Sequence, residues 1–231
     1  MEYGSRRPVR TTLLSAVTKI KCLQFAQEHN DWTVKHWEKV MWSDESRFQL
    51  HHADGRVRIW QKQHESMHPT CMSTTLQAGG GSVMVWGMFS WHDLGPLICV
   101  EQRLNSTTYL SIVAHQVHPI MLMAYLNGDG FFQQDNGACI VQEWFQEHEG
   151  DFTLLRWPSQ SPDLNPIEHL WDEVKRAIKQ LVPQPSNLTE LDSAIHQAWC
   201  HIPRITFQHL MESMPRRITT VLKAKGGPTK Y

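Results

Sequence analysis

The chain has 231 residues, of which 41% are hydrophobic and ten are tryptophan, so it is long and apolar enough to bury a core of its own. Its formal net charge of −1 excludes a uniformly basic DNA-coating protein. No window approaches the run of about eighteen apolar residues that a membrane span needs, and the N-terminus lacks the apolar core of a signal peptide. We therefore expect a soluble intracellular protein without a membrane partner.

Basic residues are concentrated at both ends of the chain. The first 21 residues hold five of them against one acid, and the last 16 hold five, including Arg216 and Arg217, with no acid. Such ends are compatible with phosphate contacts, but charge runs are more often solvated. Composition alone therefore favours solvated tails.

Five cysteines are spread along the chain without a C-x-x-C pair. An odd number at such spacing is typical of reduced thiols in a cytosolic or nuclear protein. The spacing indicates no zinc site.

The first part of the chain predicts an arm, two helices and a strand. Residues 1–14 are too basic and proline-broken to pack, whereas apolar spacing predicts helices over 13–29 and 33–40.

Residues 40–50 then alternate with a period of two, which predicts a strand whose apolar face includes Asp44. A carboxylate on an apolar face is costly unless it is paired or bound to a metal. Arg47 lies on the opposite strand face, so Asp44 has no obvious local partner, and both a distant partner and a bound metal stay open.

The next elements predict an antiparallel meander. An Asp-Gly turn over 53–56 and a return strand over 57–60 form a hairpin signal. Residues 82–90 are apolar with little alternation, as expected for an inner strand that is covered on both faces. A further strand is predicted over 94–102.

The second half of the chain alternates strands and helices. The pattern predicts a long helix over 105–126 that Pro119 kinks or interrupts. It then predicts a strand over 130–136, a helix over 141–150, a strand over 152–157, a helix over 166–181 and a mostly helical region over 187–225. A meander followed by β-α-β units indicates an α/β protein with a mixed sheet flanked by helices.

Two further acids lie at ends of these elements, and each has a structural explanation of its own. Asp135 closes a predicted strand before Asn-Gly, where a turn residue is common. Glu168 follows Asn165 by three residues, which is the spacing of a capping box, and a carboxylate there also favours the helix dipole. Capping and a second role do not exclude each other, because the carboxylate has two oxygens.

Together with Asp44, these acids have a joint explanation. Acids on adjacent strands and in the first turn of a facing helix can converge at one point of a sheet, and clustered carboxylates repel unless cations lie between them. Hard oxygen ligands select Mg²⁺ or Mn²⁺. Two such ions about 4 Å apart can activate a water or a 3′-hydroxyl and stabilise the leaving oxygen of a phosphodiester.

Four motifs in chain order resemble the catalytic domain of a Tc-mariner family DDE transposase: "WSDESRF", "GGGSVMVWGMFS", "FFQQDN" and "WPSQSPDLNPIEHLWDEVKR". The resemblance extends over essentially the whole chain. It implies an RNase H-like fold with a helical C-terminal extension, a nuclear location, and cut-and-paste DNA movement by hydrolytic excision and strand transfer into a TA target. It assigns catalysis and the binding of two Mg²⁺ or Mn²⁺ ions to Asp44, Asp135 and Glu168. The rival acids Glu45, on the opposite strand face, and Asp163, in the loop before the helix, are set aside.

The resemblance also implies how the chain is divided. Residues 1–38 correspond to a basic arm and helical linker remnant, 39–182 to the RNase H-like catalytic domain, and 183–231 to a helical C-terminal extension. The implied partner is double-stranded DNA, and a homodimer is an open alternative to a monomer. Family members carry two helix-turn-helix modules ahead of this region, so we expect the recognition of transposon ends to be absent from this chain.

The interval between Asp135 and Glu168 departs from the family pattern. It contains 32 residues, against about thirty-four or slightly more in the family, a spacing set by how a strand and a helix bring acids to the same ions. The shortfall lies between Asn136 and Val141, where family members carry a small residue, a proline and a histidine.

Two functions therefore stay open. The first is a metal-dependent transposase, and the second is a catalytically inactive, truncated derivative that binds DNA or a partner protein. A nuclease of the RNase H type acting on RNA–DNA hybrids would share the chemistry, but the motifs "GGGSVMVWG" and "SPDLNPIEHLW" count against it.

Overall fold

The structure is a computed structural model that describes residues 14–50, 81–100, 104–134, 139–158, 161 and 163–229. The predicted hairpin turn over 53–56 and its return strand over 57–60 lie outside these ranges. So do nearly all of the predicted basic arm, the acid Asp135 and residues 136–138 of the segment in which the interval to Glu168 is shortened.

Five strands form one mixed sheet. They are β1 (Val40–Gln49), β2 (Ser82–Phe89), β3 (Leu94–Val100), β4 (Phe131–Gln133) and β5 (Thr153–Leu155). Their order across the sheet is β3-β2-β1-β4-β5. The three strands from β1 to β3 pair antiparallel as a meander, whereas β4 pairs parallel with both β1 and β5. The predicted mixed sheet is confirmed, with bounds that differ by a few residues from those predicted.

Helices cover both faces of the sheet. They are α1 (Ala16–Glu28), α2 (Val34–Trp37), α3 (Ser106–Ile112), α4 (His118–Ala124), α5 (Cys139–Glu147), α6 (Ile167–Gln180), α7 (Leu188–Cys200), α8 (Arg204–Glu212) and α9 (Met214–Lys223). Within the described ranges, none has the length and apolar character that crossing a bilayer requires.

The predicted interruption at Pro119 takes the form of a π-helical turn. Residues Val113–Val117 form this turn between α3 and α4, and Pro119 stands in the first turn of α4. Proline has no N–H to donate to the helical ladder, so the regular bonding pattern changes just before it.

Two apolar clusters lie on opposite faces of the sheet. Trp42 of β1 belongs to the cluster that α1, α2, α6 and the C-terminal helices cover, whereas its neighbour Met41 belongs to the cluster under α3, α4 and α5. The same division separates Val85 from Trp86 on β2. Burial on both faces explains why β2 shows so little alternation in its sequence.

The C-terminal helices contribute to the first cluster rather than standing apart from it. Their buried apolar residues are Leu191, Ile195, Trp199, Phe207, Met211, Met214, Ile218 and Val221. Arg217 on α9 is only 1% exposed. The prediction of solvated tails was therefore wrong for this residue, because α9 is amphipathic and the guanidinium finds hydrogen-bond partners inside the fold.

Candidate active site

Asp44 lies within β1, opposite Gly87 of β2. The indole Nε1 of Trp171, from α6, donates a hydrogen bond of 3.3 Å to Asp44 Oδ2. A Cβ added at Gly87 would lie 2.8 Å from Cη2 of the same indole. The glycine therefore leaves the space in which the ring lies against the sheet, and the ring supplies the partner that Asp44 needs.

Helix α6 delivers Glu168 to the same region. Glu168 is in the first turn of the helix, and Trp171 follows three residues later, so both side chains lie on neighbouring positions of one helical face. Because of this spacing, α6 carries the Glu168 carboxylate and, through Trp171, also hydrogen-bonds the Asp44 carboxylate.

The predicted capping box at the start of α6 is wrong. The helix begins at Ile167, Pro166 occupies the N-cap position, and no side chain caps it. Asn165 is buried, and among the described residues its Oδ1 has no hydrogen-bond partner. The N-cap position belongs to Pro166, which has no side-chain hydrogen-bonding group, and Asn165 lies one residue before it.

The two described acids are close enough to interact electrostatically. Burial, and then the charges of Glu168 and Glu45, raise the pKa of Asp44 to about 8. Burial also raises the pKa of Glu168, with the charge of Lys175 opposing this effect and Asp172 adding to it. Ionising both carboxylates in the absence of a cation is therefore unfavourable, and a cation between them would reverse that preference.

The donor set fits a hard divalent cation. Both described acids offer carboxylate oxygens, which Mg²⁺ and Mn²⁺ prefer. Within the described part of the chain, no group of three or more His, Cys, Asp or Glu side chains is placed to hold a metal ion. The third predicted ligand, Asp135, lies outside that part, one residue beyond Gln134.

The end of β4 is tied to β1 beside Asp44. Ser43 donates from its backbone N–H to Gln133 Oε1 at 3.1 Å and from Oγ to the Gln133 carbonyl at 2.9 Å. Tyr109 donates from its hydroxyl to Gln134 Oε1 at 2.7 Å. The first two bonds fix Gln133 of the motif "FFQQDN" against the strand that carries Asp44, and the third holds Gln134 against α3.

The two rival acids occupy different surroundings. The Asp163 carboxylate accepts a hydrogen bond from the backbone N–H of Thr229, so the C-terminal segment engages it. Glu45 follows Asp44 on β1, and its charge contributes to the raised pKa of Asp44.

A basic groove lies between the end of β1 and the second half of α6. Its volume is about 490 Å³, and its charged lining consists of Arg47, Lys175 and Lys179. The Lys175 ammonium lies 5.9 Å from the centroid of the Phe48 ring, and that ring meets Trp171 edge-on with centroids 6.3 Å apart. The groove is thus continuous with the residues that hold Asp44.

Sequence reasoning missed three residues of this site. Trp171, Gln133 and Gly87 lie within the quoted motifs, but none of the three was predicted to have a role in the site. The spacing of Trp171 from Glu168 was a usable signal, because residues three apart share a helix face. No local pattern reveals that Gly87 faces Asp44, since that depends on the register between β1 and β2.

A mixed sheet in this strand order, with helices on both faces, an acid on its central strand and a second acid on a facing helix, is the arrangement of an RNase H-like domain. Residues 39–192 match the family model described as DDE superfamily endonuclease. The chain is 39% identical over 230 residues to the transposable element Tcb1 transposase of Caenorhabditis briggsae, covering 98% of this chain and 82% of that protein. It is 37% identical over 231 residues to the Tc1 transposase of Caenorhabditis elegans, with the same coverage.

Solved structures show the same fold. The catalytic domain of Mos1 mariner transposase matches with a TM-score of 0.72 at 10% identity, over 96% of this chain and 100% of that one. The Mos1 mariner paired end complex with Mn matches with a TM-score of 0.75 at 13% identity, over 99% of this chain and 69% of that one. The chain belongs to the Tc-mariner family of DDE transposases.

Proposed function

We propose that this chain is a catalytic transposase domain that cleaves phosphodiesters of double-stranded DNA and joins a 3′-hydroxyl end to target DNA. The observation that carries the proposal is the hydrogen bond from Trp171 to Asp44, which holds the first turn of α6, with Glu168 in it, against the central strand. Asp135, in the motif "FFQQDN", is the proposed third acid. The nucleus, where the DNA substrate lies, is the proposed location.

The proposed cofactor is a pair of Mg²⁺ or Mn²⁺ ions held by Asp44, Asp135 and Glu168. The Mos1 structures with Mn and with Mg support a divalent metal in this family. When bound, such ions activate a water or a 3′-hydroxyl and stabilise the leaving oxygen.

The remaining residues of the site orient the acids and the DNA. The N–H of Trp171 occupies one acceptor position of Asp44 and thereby restricts the orientation of its carboxylate. The bonds between Ser43 and Gln133 hold β1 and β4 together beside that carboxylate. Arg47, Lys175 and Lys179 in the basic groove supply positive charge for a phosphate backbone.

A second candidate function is a catalytically inactive derivative that binds DNA or another protein. The observation that favours it is the interval of 32 residues between Asp135 and Glu168. A displacement of about 1 Å between catalytic groups can lower a rate a hundredfold, so the shorter interval bears directly on activity.

A DNA-joining assay tests the proposal against this alternative. The chain is fused to a DNA-binding domain of known specificity and supplied with a duplex that carries that site beside a free 3′-hydroxyl, a supercoiled plasmid and Mn²⁺. We expect joined products that the fusion with Asp135→Asn does not form, whereas the fusion with Asp31→Asn, an exposed acid in another region, forms them as wild type does. DNA binding without joining by the wild-type fusion would favour the inactive derivative.

A further inference from the structure

Arg217 is a buried charge that the proposed chemistry does not use. It lies on α9 and is 1% exposed, whereas its neighbour Arg216 is exposed to solvent. Removing a guanidinium from water is unfavourable unless its donors are hydrogen-bonded in good geometry. The contacts that compensate for this burial therefore indicate what the residue does.

The guanidinium binds both sides of the turn at which α6 begins. Its NH1 donates to the Asp163 carbonyl at 2.8 Å, and its NH2 donates to His169 Nδ1 at 3.3 Å. An arginine side chain has only donors, so His169 Nδ1 is the acceptor in this bond. Asp163 lies three residues before Pro166, and His169 directly follows Glu168.

Arg217 is itself held in place on α9. Its Nε donates to Ser213 Oγ at 2.9 Å, and Ser213 Oγ donates to the Leu210 carbonyl at 2.6 Å. These bonds fix the plane of the guanidinium relative to the C-terminal helices, so its other donors point in defined directions.

The start of α6 depends on such outside contacts. Within the described ranges, no side chain caps its first turn, in which Glu168 lies. The C-terminal segment makes a second contact to the same turn, because the Thr229 N–H donates to the Asp163 carboxylate. Asp163, in the loop before α6, thus accepts two hydrogen bonds from the C-terminal part of the chain. Arg217 donates to its backbone carbonyl, and Thr229 donates to its carboxylate.

We propose that Arg217 is a positioning residue for Glu168, which it places by bridging Asp163 and His169 across the first turn of α6. The C-terminal helices then complete the metal site, although they contribute no ligand. This inference rests on the proposed function in so far as Glu168 is a metal ligand.

Manganese titration by calorimetry tests this role with Arg217→Lys and the matched variant Arg216→Lys. Lysine keeps the charge but loses the planar set of donors that bridges two acceptors. We expect Arg217→Lys to weaken Mn²⁺ binding about tenfold, as the loss of an outer-shell contact does. Arg216→Lys should bind as wild type does. A folded Arg217→Lys that binds Mn²⁺ with wild-type affinity would overturn the proposal.

Hydrogen exchange separates this inference from the proposed function. In metal-free buffer, we expect the amides of 163–170 to exchange faster in Arg217→Lys, with those of β1 and β2 unchanged. If the wild-type chain binds no Mn²⁺, the proposed function fails. The exchange rates over 163–170 still show whether Arg217 holds the first turn of α6 in place. Wild-type exchange rates over 163–170 would contradict that role.

Ser213→Ala is the second variant, in case Arg217→Lys does not fold. It leaves the guanidinium intact and removes the acceptor of its Nε, together with the bond from Ser213 Oγ to the Leu210 carbonyl. We expect a smaller loss of Mn²⁺ affinity and a smaller increase in exchange over 163–170 than a direct change at Arg217 would cause. No change in either quantity would overturn the proposal.

Discussion

A single indole connects the candidate metal ligand Asp44 to the core. Trp171 donates to Asp44 Oδ2, and its ring stacks on Trp199 with centroids 4.9 Å apart. Trp199 in turn donates from Nε1 to the Gly95 carbonyl at 3.2 Å. The orientation of the carboxylate therefore depends on packing that extends from the sheet into α7.

Replacing Trp171 by phenylalanine tests this connection. Trp171→Phe keeps an aromatic ring and removes the N–H, so we expect Mn²⁺ affinity to fall about tenfold. The free energy of unfolding should fall by about 1 kcal/mol. Calorimetry and denaturant unfolding measure the two effects. Trp199→Phe is the matched control, because it loses a hydrogen bond of the same kind and should keep wild-type affinity. Equal affinities for both variants would exclude an orienting role for Trp171.

The burial of Asp44 predicts a pH-dependent stability in metal-free buffer. Its pKa is raised from 3.8 to about 8 in the folded chain. A raised pKa contributes stability that is fully present below pH 3.8 and is lost as the pH rises towards 8. Asp44→Asn removes this dependence. We expect the melting temperature of Asp44→Asn to rise relative to that of wild type as the pH increases from 4 to 8. Above pH 9 the difference between the two melting temperatures should be constant. A gap independent of pH would show that Asp44 ionises as readily in the folded chain as in the unfolded one.

At the scale of the elements, the local period of the sequence predicted the strand and the helix that carry two of the three proposed acids. Alternation over 40–50 predicted β1 with Asp44 on its apolar face, and the apolar stripe after Pro166 predicted α6 with Glu168 in its first turn. Both elements are present. The capping box was not predicted correctly, because Pro166 rather than Asn165 occupies the N-cap position of α6.

The pairing of β1 with β2 places Gly87 opposite Asp44, where the absence of a side chain leaves room for the Trp171 ring. Gly87→Ala would place a Cβ 2.8 Å from the Trp171 ring and 3.1 Å from Leu97 Cδ1. Because overpacking displaces the ring, we expect a loss of about 1–3 kcal/mol in the free energy of unfolding and weaker Mn²⁺ binding.

The control for this substitution is Gly150→Ala. A Cβ at Gly150 would meet no atom within 4 Å among the described residues. Denaturant unfolding should give wild-type stability for that variant. A Gly87→Ala protein as stable as Gly150→Ala would mean that the indole adjusts without cost.

At the scale of the whole molecule, the order of elements was sufficient to predict the sheet. A meander followed by β-α-β units admits few arrangements, because parallel strands need crossover helices. The role of the C-terminal helices was not predictable in this way. Arg217 has the local sequence of a solvated basic tail, and only the long-range packing of α9 shows that it binds the turn before Glu168.

The distribution of charge over the molecule predicts where DNA binds. Lys179→Ala removes an exposed ammonium from the basic groove. If it contacts a phosphate, we expect weaker DNA binding and a salt dependence that is smaller by about one unit of slope. Fluorescence anisotropy at several salt concentrations measures both. Lys39→Ala is the control, because Lys39 pairs with Asp129 away from the groove and should leave the slope unchanged. Equal slopes for the two variants would place the DNA elsewhere.

The most direct test of the account is Mn²⁺ titration of the wild-type chain and of Asp44→Asn, Asp135→Asn and Glu168→Gln. We predict that wild type binds Mn²⁺ saturably and that each of the three substitutions abolishes this binding or weakens it at least tenfold. Circular dichroism checks that every variant is folded. We also predict that Asp31→Asn, at an exposed acid, binds as wild type does. Wild-type binding that survives all three substitutions, or no binding by the folded wild-type chain, would contradict a metal site at these acids.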